Sequence, residues 1–214
     1  AQLLGLAGSD TPGVLLVGGS GWSTALAEAL QKSGVPVLLT DPNRSHLRTA
    51  RQLGLATFFG DVLSEAAEHN LELAQYARLV ALTDNDAYNT LVTTDLAPEY
   101  GRDNVFQLAR AKEGQARHAL PATLGGRVFA QGRSFDELQA LTRAGWEFRS
   151  TTLSEEYDFE QWRVERPDAL LVTAIYPKGE LRFPREDSSL KGGDGVRLIY
   201  FAPPKPKQKA QSEA

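Results

Sequence analysis

Through its first two thirds the chain alternates short apolar runs with stretches of helical periodicity, and little else in the sequence constrains the fold so tightly. Val14-Leu15-Leu16-Val17 breaks into Gly18-Gly19-Ser20-Gly21. Ser23 to Lys32 then places Leu26, Ala29 and Leu30 on one helical face, with Gly34 just past its end. Val35 to Leu39 reads as the next strand, closed by Thr40-Asp41-Pro42. Arg44 to Leu53 is helical in pattern, with Leu47, Ala50 and Leu53 in register and Gly54 as its stop. A strand at Thr57 to Phe59, a helix from Ser64, a strand at Leu79 to Leu82, a helix from Asp86 and a strand at Val105 to Leu108 continue the series. Strands alternating with helices of this length form right-handed crossovers onto a parallel sheet covered on both faces. The expected class is α/β, a doubly wound parallel-sheet Rossmann domain.

A sixth strand is expected at Val128 to Ala130. The helix after it opens on a capping box, Ser134 with Glu137 three residues on, and ends near Ala144-Gly145. The pattern then changes. Trp146 to Leu153, Ala169 to Tyr176, Leu181 to Phe183 and Val196 to Phe201 are β-rich and separated by Pro177-Lys178-Gly179 and Gly192-Gly193-Asp194-Gly195 turns. The division this predicts is a connector over 1–12, a Rossmann-like nucleotide-binding domain over 13–145, a smaller β-rich α+β domain over 146–203 and a disordered tail over 204–214.

Composition narrows the function. With 42% apolar and 23% charged residues, the 214-residue chain has globular proportions. A net charge of -4 argues against nucleic acid as a partner. The absence of cysteine excludes disulfides, thiolate metal sites and a cysteine nucleophile. No apolar run approaches the roughly 18 residues of a membrane span, so direct membrane insertion is not expected. The chain also has no methionine, which predicts a processed product or a piece of a longer protein.

A strand that runs through glycines into a helix presents main-chain N–H groups and a helix N-terminus to an anion. In the register that starts directly after the strand, Gly18 is the first glycine of a dinucleotide fingerprint, and Ser20 and Ser23 occupy its second and third glycine positions. Asp41 follows 23 residues after Gly18, near the expected spacing of about 20 for a carboxylate that accepts ribose hydroxyls. Such a carboxylate disfavours a ribose 2′-phosphate, whereas Arg44 would receive one. Asp41 is expected to be the stronger of the two, because it is fixed at a strand end.

The stretch from Val14 through Arg44 resembles the opening of the RCK or KTN domains, the Trk-type NAD-binding regulators of potassium channels, potassium transporters and cation/proton antiporters. Phe59-Gly60-Asp61-Val62-Leu63 is similar to that family's Gly-Asp-Ala-Thr element, with Val62 and Leu63 departing from it. Leu82-Thr83-Asp84-Asn85-Asp86-Ala87-Tyr88-Asn89 resembles its segment after the fourth strand. The second domain is similar to the family's small C-terminal domain, and the whole looks closest to the cytoplasmic portion of bacterial sodium/proton antiporters. The resemblance implies a non-catalytic module whose ligand, NAD(H) or AMP, ADP or ATP, meets Gly18, Gly19, Ser20, Gly21, Trp22, Ser23, Asp41, Asn43, Arg44, Asp61, Val62, Leu63, Thr83, Asp84, Asn85 and Asn89. It also implies a homodimer attached to the membrane transport domain of the same polypeptide, at the cytoplasmic face of the cell membrane.

Other constellations carry less. His46, His69 and His118 are scattered and read as surface or capping residues. Asp84 and Asp86 lack the glutamate that a calcium loop needs, so no metal is expected. Trp22 is placed to cover a ligand or to meet a partner subunit, whereas Trp146 and Trp162 belong to the small domain's core. Dimer contacts are expected on the apolar faces from Leu91 to Ala97 and from Leu138 to Leu141. The competing reading is a soluble NAD-dependent oxidoreductase, which lacks a recognisable acid, base or nucleophile in the sequence.

Overall fold

The computed structural model describes residues 12–110, 124–184 and 193–205. The connector, apart from Pro12, and the tail beyond Lys205 lie outside the described residues, as does His118.

Six parallel strands form the first sheet: β1 (Gly13–Val17), β2 (Val37–Asp41), β3 (Ala56–Phe59), β4 (Tyr76–Ala81), β5 (Val105–Gln107) and β6 (Arg127–Val128). Their order, β3-β2-β1-β4-β5-β6, is that of a Rossmann sheet, with its switch point between β1 and β4. The crossovers carry α1 (Gly21–Lys32), α2 (Arg48–Gln52), α3 (Glu65–Asn70), α4 (Asp86–Asp95) and α5 (Ala97–Tyr100). β1 is apolar and fully buried because helices cover both faces of a parallel sheet, so its run is continuous instead of alternating.

The pattern at Arg44 to Leu53 overstates α2, which begins only at Arg48. The Asn43 side-chain carbonyl accepts from the Ser45 amide at 2.9 Å and from its hydroxyl at 2.7 Å, holding residues 44–47 in a turn. A short polar side chain thus competes with the first helical turn for the same donors. The sixth strand is also shorter and earlier than expected, because Phe129 leaves the sheet to enter the core.

α6 (Phe135–Arg143) leads into the second unit: β7 (Glu147–Thr152), α7 (Phe159–Glu165), β8 (Leu170–Ile175), β9 (Leu181–Arg182) and β10 (Arg197–Ala202). Its four strands make an antiparallel sheet in the order β7-β10-β8-β9. Both α6 and α7 begin with reciprocal capping boxes, from Ser134 with Glu137 and from Asp158 with Gln161.

One hydrophobic cluster runs through both units, joining Leu16, Leu26 and Leu82 to Phe129, Val172 and Phe201. At its centre Trp22 lies edge-on to Phe129 and Phe201 and against Phe148, while Phe183 packs on Phe106 and Phe129. Trp22 therefore neither covers a ligand nor reaches a partner subunit; it is 1% exposed and fills the seam between the two sheets. Leu138 is buried and Leu141 packs on the same cluster, which removes that face as a dimer contact. Leu91 on α4 does face outward. Trp162 is buried in the second unit's own core, and Trp146 packs against Phe201.

Candidate functional site

Four loops meet at the carboxyl ends of β1, β2, β3 and β4, where a doubly wound sheet receives its ligand. Gly18 leaves β1 with φ of 111°. A Cβ on it would lie 2.8 Å from the Thr83 side chain and 2.9 Å from the Thr83 amide. A Cβ on Gly19 would lie 2.9 Å from both the Cβ and the carbonyl oxygen of His46. These two glycines are thus required by neighbouring loops before any pyrophosphate is considered.

Ser20 caps α1. Its hydroxyl accepts the Ser23 amide at 3.1 Å, and the Ser23 hydroxyl accepts the Ser20 amide at 2.8 Å. The serines in the second and third fingerprint positions therefore form a capping box, a local satisfaction of donors that a glycine could not provide. Gly21 and Trp22, the first two helical residues, keep amides that have no intrahelical acceptor. Gly21 is exposed, and a Cβ on it would meet only the Thr142 side chain, at an ordinary contact distance of 3.9 Å.

Asp41 ends β2 and is almost buried, 6% exposed. Its Oδ2 accepts the Gly19 amide at 2.7 Å and lies 3.2 Å from His46 Nδ1; its Oδ1 accepts the Asn43 amide at 2.7 Å. Asn43 Nδ2 lies 3.3 Å from His46 Nε2. Asp41 thereby ties the glycine loop after β1 to the turn after β2. Arg44 is carried by that turn with its guanidinium 4.6 Å over the Phe59 ring. Phe59 is the register neighbour of Asp41 on β3.

In the third loop Asp61 accepts the Leu63 amide at 3.0 Å and the Tyr88 hydroxyl at 2.5 Å. Burial, that hydrogen bond, and the charges of Asp61 and Asp41 push the Tyr88 phenol well above its ordinary range. Val62 is buried in the core and Leu63 packs against it, so neither side chain belongs to the cleft. In the fourth loop Asn89 is fully buried and holds Thr83: its Oδ1 accepts the Thr83 amide at 3.1 Å and hydroxyl at 2.6 Å, and its Nδ2 donates to the Thr83 carbonyl at 2.9 Å. Asn85 caps α4 through the Tyr88 amide, and Asp84 is exposed in the bend before it.

The structure thus brings Gly18 to Gly21, Asp41, Asn43 and Arg44 together, and links Asp61 to α4 through Tyr88. It turns Trp22, Val62 and Asn89 inward as supports. Sequence reasoning passed over His46 and Tyr88. Tyr88 lies within a segment that carries the resemblance and His46 just past one, but their roles depend on partners 27 and 5 residues away. Main-chain amides at the start of α1, the carboxylates of Asp41 and Asp61 and the Arg44 guanidinium are the polar groups gathered at this end of the sheet.

The sequence profile of the TrkA-N domain matches residues 14–125, just over half of the chain. No curated protein matches it. Similar solved structures include the GsuK channel bound to NAD, 15% identical over 91% of this chain and 37% of that one, with a TM-score of 0.47. The GsuK RCK domain is 14% identical over 90% of this chain and 44% of that one, with a TM-score of 0.41. The human SLO3 gating ring is 7% identical over 88% of this chain and 44% of that one, with a TM-score of 0.30. The chain spans less than half the length of each.

Proposed function

The chain belongs to the TrkA-N domain family, and from that premise we propose that it is a non-catalytic regulatory module that binds an adenine nucleotide and controls an attached membrane transporter. The ligand is NAD(H) or one of AMP, ADP and ATP. The transporter moves potassium or exchanges a cation for protons, and the sequence resemblance favours the sodium/proton antiporters. The module works as a homodimer, since a two-fold partner supplies the fixed reference against which a domain can move a membrane segment.

One observation carries this reading: the glycine turn after β1 is joined to the carboxylate at the end of β2 by the Gly19 amide to Asp41 hydrogen bond of 2.7 Å. The amides at the start of α1 suit a phosphate, and the Asp41 carboxylate suits the ribose beside it. Regulation requires the ligand to bind two arrangements of the module with different affinity. Trp22, the second residue of α1, packs its ring against the Phe148–Phe201 pair of the second sheet, so a shift of the loop before α1 loads the second unit directly.

Thermal unfolding of the chain with AMP, ADP, ATP, NAD and NADH tests the reading. A bound nucleotide at 100 times its Kd stabilises by about 2.7 kcal/mol, which is readily seen as a rise in Tm. No rise with any of the five would defeat it.

A further inference from the structure

We propose that the arginines of α2 and of the turn before it form a subsite for a phosphomonoester dianion, contiguous with the ribose end of the nucleotide cleft. The ligand it favours is an adenine nucleotide phosphorylated on its ribose 2′-hydroxyl, such as NADP(H). The inference rests on the nucleotide reading above and reverses the selectivity expected from Asp41 and Arg44 alone.

Two structural facts shift that balance. The first weakens the acidic side. The Asp41 side chain is only 8% exposed, and both its oxygens already face donors from Gly19, Asn43 and His46. With both oxygens engaged by donors, its charge opposes a nearby phosphate less than that of an unpaired carboxylate would.

The second strengthens the basic side. Arg48 and Arg51 lie three residues apart on one face of α2, and the turn before it carries Arg44 to the same side. Together with Ser45 and Gln52 these arginines line a groove of about 440 Å³. Arg44 and Arg51 also line an adjoining groove of about 330 Å³, floored by Leu47, Thr57 and Phe59. Neither groove has a carboxylate in its wall. Among the described residues no carboxylate lies within ion-pair distance of any of the three guanidiniums, as is also true of several other arginines.

Position then selects the ligand. Phe59 is one strand away from Asp41, about 4.8 Å across a sheet. Arg44 is held over the Phe59 ring, so part of its conformational freedom is already lost before a ligand arrives. The cationic groove therefore begins where a substituent on the ribose would emerge. Planar guanidinium forks match the oxygens of a phosphate, and three of them suit a dianion better than a single carboxylate.

Calorimetric titration of the 214-residue chain with NADH, NADPH, 5′-AMP, 2′-AMP and inorganic phosphate tests the proposal, on the wild type and on an Arg48→Gln/Arg51→Gln variant. The expected result is NADPH binding at least about tenfold tighter than NADH, and 2′-AMP tighter than 5′-AMP. The variant should lose that advantage and keep its affinity for NADH. NADPH binding no tighter than NADH, or a variant that preserves the ratio, overturns the subsite. Equal loss of NADH and NADPH in the variant also overturns it, since the arginines would then serve the common part of the ligand. If no nucleotide binds, the nucleotide reading itself fails. Inorganic phosphate then decides: binding that the variant abolishes retains the anion subsite, and no binding removes it.

Discussion

At Gly18 two constraints act together, a positive φ and the 2.9 Å that would separate an added methyl group from the Thr83 amide, whereas at Gly21 the nearest atom to such a methyl is 3.9 Å away. The two glycines of one motif therefore have different reasons to be there. Gly18→Ala is expected to destabilise the fold by about 1–3 kcal/mol, the cost of a side chain held in a sparsely populated conformation. Gly21→Ala, at an exposed helical position, is expected to leave stability unchanged or raise it by up to about 1 kcal/mol. Urea denaturation of both variants reads the difference. Equal effects would mean that the loop is not held by Thr83.

Helix α1 serves two structures at once. Its first turn is closed by the Ser20–Ser23 box, and its second residue crosses into the other unit. Trp22 is buried against three aromatic rings, two of them from the second sheet, and its indole nitrogen has no acceptor among the described residues. Packing and not hydrogen bonding therefore holds this side chain. Trp22→Ala should cost about 3–5 kcal/mol, as other large aromatic truncations do. Trp22→Phe, which keeps an aromatic ring and removes the unpartnered N–H, should cost much less. Guanidinium unfolding curves separate the two, and a Trp22→Ala chain as stable as the wild type would show that the seam is not a core.

For the molecule as a whole, two tyrosines connect packing to pH. Tyr88 donates to Asp61 and Tyr100 donates to the Leu73 carbonyl at 3.0 Å. Burial is the largest cause that pushes both phenols up, with nearby acidic charges adding to it. A raised folded-state pKa means that the fold keeps protons which the unfolded chain releases near pH 10. Their contribution is fully present below about pH 10 and is lost as pH rises beyond it toward the folded-state values. Stability should therefore be level from about pH 7 to about pH 9 and fall steeply above about pH 10. A Tyr88→Phe/Tyr100→Phe chain should show a shallower alkaline slope, and an unchanged slope would remove these residues as its cause.

Much of this architecture is written in interactions that span about four residues or fewer. The apolar runs, the glycine punctuation and the Ser134–Glu137 box fix where strands and helices lie, because hydrogen-bond and burial periodicities are local properties of the chain. Alternation of those elements then determines the parallel sheet and its switch point, and so which loops form the cleft. The start of α2 was hidden, since whether Asn43 extends a helix or folds back on Ser45 is a contest between nearly equal local hydrogen bonds. What occupies the cleft's donors was hidden for a different reason. Asp41 meets Gly19, Asp61 meets Tyr88, and Trp22 meets Phe148 and Phe201 only once segments far apart in sequence are packed together. Short-range periodicity carries no record of such pairings. Tertiary packing alone turned a tryptophan at the start of α1 into the seam between two sheets, and brought Arg44 and Arg51 to the strand beside Asp41.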